Sequence, residues 1–156
     1  MKASTDFVLP SMKVPSWVNR MMRLGLKTPG LQSLLGRHVA LITLTGRRSQ
    51  RRITTPVTFH RDGDTVLVVT KRASTWWRNF ETNPEVTLRI AGKTLLGKAE
   101  AVTHDDAKLP LVTEFLRHRP RDAKAYGVKL GPQNELDAET GRALVPHLIP
   151  IVVRLD

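Results

Sequence analysis

Two pairs of β-type segments, each joined by a tight turn, constrain the fold of this chain more than any other feature of its sequence. Residues 53–70, "ITTPVTFHRDGDTVLVVT", are apolar and β-branched on both sides of Asp62-Gly63, a dipeptide typical of hairpin turns. Residues 85–103 repeat the pattern, with alternating apolar and polar residues and a turn at Gly92-Lys93. Because an open antiparallel sheet leaves edge strands that need protection, consecutive hairpins favour closure into a small barrel.

Two further segments are predicted to be strands, residues 38–45 and the C-terminal residues 147–156, "HLIPIVVRLD". With the two hairpins they make five or six strands. The absence of an internal repeat and of a linker predicts a single domain over residues 14–156.

Helices are expected between and after the hairpins. A short one begins with Ser74 or Thr75 as N-cap and ends at Asn83-Pro84, and a longer one covers residues 105–117. Residues 119–143 are expected to mix helix and loop. The predicted fold class is therefore mainly β with flanking helices.

The N-terminal part is predicted to contain a flexible leader, residues 1–13, and an amphipathic helical segment, residues 14–37. Its polar side carries Arg20, Arg23 and Lys27. A basic amphipathic helix can lie on an anionic membrane surface, but a helix that covers an open end of the barrel is the favoured interpretation. The chain has no cysteine, no signal-peptide pattern and no apolar run long enough to span a bilayer. We expect a cytoplasmic protein, with peripheral membrane association as the alternative.

The formal net charge is +11, and the whole excess of cations lies in residues 1–103. Such a one-sided field attracts nucleic acid, an anionic membrane, or a phosphorylated or carboxylated small molecule. Composition alone does not choose between these partners.

The segment "TGRRSQRRITTP" concentrates Arg47, Arg48, Arg51 and Arg52 around Ser49, directly after a predicted strand. Guanidinium groups bind phosphate oxygens in bidentate fashion, and hydroxyl and backbone N–H groups fill the remaining lone pairs. A phosphate-binding turn and a simply solvated basic turn both fit this pattern.

Two adjacent tryptophans, Trp76 and Trp77, cannot both face one side of the short predicted helix. We expect one to anchor the barrel and the other to cover a planar ligand, with burial of both in the core as the alternative.

Several chemistries have no support in the sequence. There is no P-loop or Gly-x-Gly-x-x-Gly motif, and no two of the five histidines pair at metal-ligand spacing, so no metal site is predicted. No catalytic nucleophile or acid–base pair can be assigned, and Tyr126, the only tyrosine, is expected to pack or to lie at the surface rather than to donate a proton. If the protein is an enzyme, a cofactor must carry the chemistry.

Four segments in order, "LTGRRSQRRITTPV", "RDGDTVLVVTKRAS", "WWRNFETNPEVTLRI" and "IPIVVRL", resemble the deazaflavin-dependent nitroreductase family. The similarity extends from about Asn19 to Leu155. It implies a split β-barrel of the flavin-reductase, FMN-binding type that binds the deazaflavin coenzyme F-420, with FMN as the less favoured coenzyme. It also implies hydride transfer to a small-molecule acceptor such as a quinone, a nitro compound or an activated alkene.

The resemblance implies roles for eleven residues. Those near the phosphate and acidic tail of the coenzyme would be Arg47, Arg48 and Ser49, with Arg52 in support. Those at the ring system would be Thr54, Thr55 and Pro56 on one side, Thr70 and Lys71 opposite, and Trp76 and Asn79 on the helix that shapes the pocket. The chain departs from the family pattern at Gln50, where glycine is usual, and at Ile53, where arginine is common.

Two alternatives stay open. The basic barrel could bind nucleic acid, although the few aromatic residues offer little stacking surface, and no specific nucleic-acid partner is predicted. The chain could also be a redox-inactive family member that holds a flavin or lipid-like ligand. A homodimer is compatible with either function.

Overall fold

The computed structural model of the chain describes residues 38–156. The predicted leader and the predicted N-terminal amphipathic segment lie outside the described residues.

A single antiparallel sheet dominates this part of the chain, with the strand order β2-β1-β5-β6-β7-β4-β3. Its strands are β1 (Val39–Thr45), β2 (Arg52–Thr58), β3 (His60–Asp62), β4 (Thr65–Lys71), β5 (Glu85–Ile90), β6 (Lys93–Ala101) and β7 (Leu148–Leu155).

Strands β2 and β3 follow one another in the chain but stand at opposite ends of the sheet. β2 pairs with β1 along its whole length, from Arg52 to Thr58, whereas β3 pairs with β4. The sequence predicted one strand here. It is two strands because the chain must leave one edge and join the other, and the buried Phe59 lies at the change of direction. The two ends of the sheet are therefore close together, and the sheet curls into a barrel that is not fully hydrogen-bonded.

Both predicted hairpins form, with turns displaced by one residue. The β3–β4 turn is at Gly63-Asp64, with Gly63 at φ 58°, and the β5–β6 turn is at Ala91-Gly92, with φ values of 49° and 80°. Left-handed backbone is characteristic of tight hairpin turns and favours glycine.

The helices are α1 (Asp105–His118), α2 (Ala138–Leu144) and the 3₁₀ helices Thr75–Glu81, Pro120–Tyr126 and Val145–His147. The two helices expected from sequence are confirmed, although the first is 3₁₀ and Ser74 makes no side-chain capping bond to it.

Apolar residues form two cores, one on each face of β4. Val66 and Val68 belong to the interior of the barrel, while Leu67 and Val69 contact the helical layer. α1 contributes Phe115 and neighbouring apolar residues to this second core. α1 and the helices that follow it thus cover the β4–β7 side of the sheet, whereas the 3₁₀ helix Thr75–Glu81 contacts β6 and places Trp77 and Phe80 in the barrel core.

Among residues 38–156, no helix is both long enough and apolar enough to cross a membrane.

Candidate functional site

A cleft of about 460 Å³ opens between β2 and β4, the strands that approach each other across the incomplete barrel. Its lining residues are Thr55, Pro56, Val57, Thr58, Val69, Thr70, Lys71, Ser74, Trp76, Ala125 and Tyr126. Five of the predicted site residues are among them: Thr55, Pro56, Thr70, Lys71 and Trp76.

The position of the cleft follows from the strand pairing. β2 is an end strand of the described sheet and pairs only with β1. Pro56 lacks an N–H group, and at the edge of a sheet this breaks no hydrogen bonds to a second neighbouring strand. In the described chain β4 pairs with β3 only over Thr65–Leu67, which leaves the rest of that edge facing β2. A ligand can therefore contact strand edges that no other strand of residues 38–156 occupies.

The arginine segment forms a compact loop between β1 and β2. The N–H of Gly46 donates to the carbonyl of Arg51 (2.8 Å), and the N–H of Gln50 donates to the carbonyl of Gly46 (2.9 Å). Gln50 adopts a left-handed φ of 57°, which explains why glycine is usual there in the family that the sequence resembles. The hydroxyl of Ser49 accepts the N–H of Arg51 at 3.2 Å.

Asn79 attaches this loop to the 3₁₀ helix Thr75–Glu81. Its Oδ1 accepts the backbone N–H of Arg47 at 2.8 Å, and its Nδ2 donates to the carbonyl of Trp76 at 2.7 Å. The side chain is buried, and both ends of the amide are used. Asn79 is thus placed to position the loop.

The guanidinium groups of the loop carry uncompensated charge. Arg47 is half-buried and Arg48 is exposed, and none of the ion pairs within residues 38–156 includes either of them. An anion bound there would accept charge-assisted hydrogen bonds.

The two tryptophans are divided between the core and the cleft. Trp77 is buried and its Nε1 donates to the carbonyl of Arg72 at 3.0 Å. Trp76 is half-buried at the cleft and meets Phe80 edge-on, with ring centroids 5.8 Å apart. The expected anchor is therefore Trp77, and the cover over a planar ligand stays a prediction for Trp76.

A family model described as F420H(2)-dependent quinone reductase matches residues 17–131, most of the chain. The chain belongs to this family. The resemblance seen in the sequence is thereby confirmed.

Other members support the same assignment. The F420H(2)-dependent quinone reductase of Mycobacterium tuberculosis is 30% identical over 89 residues, which cover 54% of this chain and 56% of the relative. The chain thus spans about half the length of the curated relatives that it matches.

Solved structures share the fold of this quinone reductase family member at low identity. A Bacteroides thetaiotaomicron protein named for 5-nitroimidazole antibiotic resistance is 12% identical, with a TM-score of 0.56 over 80% of this chain and 77% of that chain. The FAD and heme binding protein of Mycobacterium smegmatis is 16% identical, with a TM-score of 0.53 over 86% of this chain and 66% of that chain. The predicted split β-barrel with flanking helices is confirmed.

Six of the eleven predicted site residues lie outside the lining of the cleft. Arg47, Arg48 and Ser49 belong to the adjacent loop and Asn79 to the helix that holds it, whereas Arg52 and Thr54 contact neighbouring strands. The guanidinium of Arg52 donates to the hydroxyl of Thr87 on β5 at 3.3 Å, and the hydroxyl of Thr54 is 2.9 Å from that of Thr43 on β1. Both residues lie in the first half of β2, where they meet side chains of the neighbouring strands, whereas residues 55–58 in the second half line the cleft. Neither contributes to the lining of the cleft.

Tyr126 lines the cleft without having been assigned to it from the sequence. Its hydroxyl donates to the carbonyl of Val69 at 3.2 Å, and burial raises the pKa of this phenol well above its usual range. Of the packing and surface roles expected for Tyr126, its burial and this contact agree with packing. No periodicity in residues 119–143 links Tyr126 to β4, so only the folded chain shows the proximity.

A second group of polar side chains contains two histidines to which the sequence assigned no role as ligands. His60 on β3 stacks on His118 of α1, with ring centroids 3.8 Å apart and an interplanar angle of 7°. Nε2 of His118 is 2.9 Å from Oε1 of Glu114. Burial, and then the neighbouring His118, lower the pKa of His60. The two histidines are far apart in the chain, so their spacing carries no signal.

Proposed function

We propose that this family member binds the deazaflavin coenzyme F-420 in the cleft between β2 and β4 and acts as a reductase. The observation that carries the proposal is the Arg47–Arg48 loop, whose arginines form no ion pair within residues 38–156 and which Asn79 joins to the helix that bears Trp76 at the cleft. One anion-binding element and one half-buried aromatic ring thus flank the same opening. The family description supports the same coenzyme.

The loop fits the phosphate and carboxylate groups of the coenzyme. Arg47 and Arg48 carry the charge, and the bond to Asn79 holds the backbone at Arg47. A loop positioned before the ligand arrives loses less conformational entropy on binding. The acidic tail would therefore be held where β1 ends and β2 begins.

The cleft fits a planar ring system. Thr55 and Pro56 line one side and Thr70 lines the other, so hydroxyl groups are available to polar ring atoms. Val57, Val69 and the ring of Trp76 offer apolar surface for its faces. When bound, the reduced coenzyme supplies the hydride. The protein holds the ring and the acceptor together and limits access of water.

A quinone is the first choice of acceptor because the family is described by quinone reduction. Nitro compounds and activated alkenes belong to the same proposal, since they also accept hydride at an electrophilic centre. Among the described lining residues, the groups that can donate a proton are the Ser and Thr hydroxyls, Lys71 and the phenol of Tyr126. The O–H of Tyr126 already donates to the carbonyl of Val69. We propose that solvent supplies the proton.

A parallel titration of the full-length protein with oxidised F-420 and with FMN tests the coenzyme. Quenching of tryptophan fluorescence should report F-420 binding in the micromolar range or tighter, and a Trp76→Phe variant should lose most of this signal while Trp77 is kept.

A steady-state assay with reduced F-420 and a soluble quinone then tests the reductase. Binding of FMN alone, or binding of F-420 without turnover of any acceptor class, would contradict the respective part of the proposal.

Salt separates this function from nucleic-acid binding. Affinity for single-stranded nucleic acid falls with salt with a log–log slope of about −0.7 per phosphate contact. A coenzyme that is partly held by ring burial should show a shallow slope. We expect F-420 binding to survive moderate salt, and tight, sequence-independent binding of oligonucleotides would favour the alternative.

The homodimer and the membrane contact stay predictions. Light scattering of the purified protein tests the first. Co-sedimentation with anionic liposomes, with and without residues 1–37, tests the second.

A further inference from the structure

Three side chains of metal-ligating type meet where β3 contacts the C-terminal part of α1. A nitrogen of His60, a nitrogen of His118 and a carboxylate oxygen of Glu114 all lie within 4.8 Å of one another. His60 and Glu114 are half-buried and His118 is exposed, so an ion can reach the group from solvent. None of the three lines the cleft between β2 and β4.

Glu114 and His118 have the spacing of a helical chelate. Residues four apart lie on one face of a helix, and histidines at this spacing form part of many zinc sites. Their Nε2 and Oε1 atoms are 2.9 Å apart. Ligands at about 2.0 to 2.2 Å from a tetrahedral zinc ion are separated by roughly 3.4 Å, so an ion that replaces the proton between these atoms needs only a small adjustment.

His60 supplies the third nitrogen or oxygen atom of the group from another element, β3. Its ring is parallel to that of His118, so the lone pairs do not converge in this arrangement. The ring torsion of histidine is broad and roughly two-fold. Rotation of the two rings can therefore direct one nitrogen of each toward a common ion while the backbone stays in place.

The second oxygen of Glu114 already has a partner. Oε2 accepts a hydrogen bond from Arg117 at 2.7 Å, which leaves Oε1 for an ion. The Arg117 guanidinium repels a bound cation. Because this group is more than half exposed, solvent screens part of that repulsion. Arg117 should therefore weaken the site without abolishing it.

We propose that His60, Glu114 and His118 bind a divalent transition-metal ion, for which zinc is the best match. Two imidazoles and one carboxylate leave a position for water, as in open zinc sites, and magnesium and calcium prefer oxygen ligands. The ion ties β3 to α1. Because β3 follows the cleft strand β2 after a single residue, the tie also holds the far end of the cleft.

Zinc titration of the tag-free, EDTA-treated full-length protein tests the site, with calorimetry for stoichiometry and thermal unfolding for stabilisation. We expect one ion per chain. At a free zinc concentration about 100 times Kd, Tm should rise by roughly 5 to 10 °C. Magnesium should leave Tm unchanged. The chain has no cysteine, so zinc bound elsewhere must use other histidines or carboxylates.

Matched variants make the assignment specific. His60→Gln and His118→Gln should each weaken zinc binding at least tenfold, whereas His104→Gln, which alters an exposed histidine outside the group, should bind zinc as the unaltered protein does. Arg117→Ala should bind zinc more tightly, an effect that damage to the fold cannot produce. Zinc binding that is unchanged in both His60→Gln and His118→Gln, or the absence of any zinc binding by the unaltered protein, would overturn the proposal.

Discussion

The groove of about 640 Å³ beside β6 and β7 is larger than the cleft of about 460 Å³ between β2 and β4, yet its charges suit an anion less well. The larger groove is lined by Lys98 and Arg154 together with the acids Glu81, Glu100 and Asp156. The described lining of the smaller cleft contains no acid, and the arginine loop stands next to it.

The comparison shows that volume alone does not identify a ligand site in this barrel. In the larger groove, carboxylates partly cancel the field of the cations, so an anionic ligand gains little there. Beside the smaller cleft, Arg47 and Arg48 form no ion pair within residues 38–156, and strand edges, hydroxyls and a half-buried indole converge at the cleft. Charge and unpaired backbone therefore outweigh size.

The largest expected effect comes from removing the two loop arginines that distinguish the cleft. Arg47→Ala combined with Arg48→Ala should weaken F-420 binding by about 2 to 4 kcal/mol, because hydrogen bonds to charged groups contribute about 1.5 to 3 kcal/mol each. Fluorescence titration would show Kd raised by about 30- to 700-fold. Lys98→Ala combined with Arg154→Ala removes the same charge from the larger groove and should leave Kd nearly unchanged. Equal losses in both double variants would mean that net charge, and not the cleft, governs binding.

A smaller loss is expected from Asn79, which connects the loop to the cleft. Asn79→Ala leaves the N–H of Arg47 and the carbonyl of Trp76 without their buried partner, which should lower the free energy of unfolding by about 1 to 3 kcal/mol. Coenzyme affinity should fall as well, because the loop is no longer held. Asn83→Ala, which removes an exposed bond to the N–H of Glu85, is the matched control for urea unfolding. An unchanged affinity at unchanged stability would show that Asn79 does not position the loop.

The buried phenol at the cleft predicts a pH effect. An unfolded tyrosine ionises near pH 10, whereas burial raises the pKa of Tyr126 in the folded chain. The folded state then keeps a proton that the unfolded state loses, so stability is constant with respect to this group below about pH 10 and falls by up to about 1.4 kcal/mol per pH unit above it.

Tyr126→Phe should remove that part of the alkaline destabilisation, at a cost of about 0.5 to 1.5 kcal/mol at neutral pH for the bond to Val69. Since the chain has one tyrosine, its tyrosinate absorbance is a direct readout. Ionisation near pH 10 without unfolding would contradict the buried position.

The smallest effect is expected at Arg52, which faces Thr87 and not the cleft. Arg52→Ala should change F-420 affinity by less than about 0.5 kcal/mol, as surface substitutions usually do. Arg48→Ala alone should weaken binding clearly more. If the two single variants lose equally, the arginine segment binds the coenzyme as a whole, as the sequence first indicated.

Much of the fold could be predicted because its signals are local. Turn dipeptides, β-branched runs and helix boundaries identified the turns of both hairpins and the bounds of α1 to within a residue or two. The division of residues 52–62 between two ends of the sheet could not be predicted, because pairing of β2 with β1 and of β3 with β4 depends on distant segments.

The sequence by itself determined the barrel-forming hairpins, the position of the arginine loop and the family, since all three depend on residue order along short segments. Only the tertiary structure decided which residues meet. It brought Thr55 and Thr70 to one cleft, turned Arg52 and Thr54 toward β5 and β1, and joined His60 to His118. The physical reason is that a side chain's face and partners follow from strand register and from the closure of the sheet, and both are set by contacts between segments far apart in the chain.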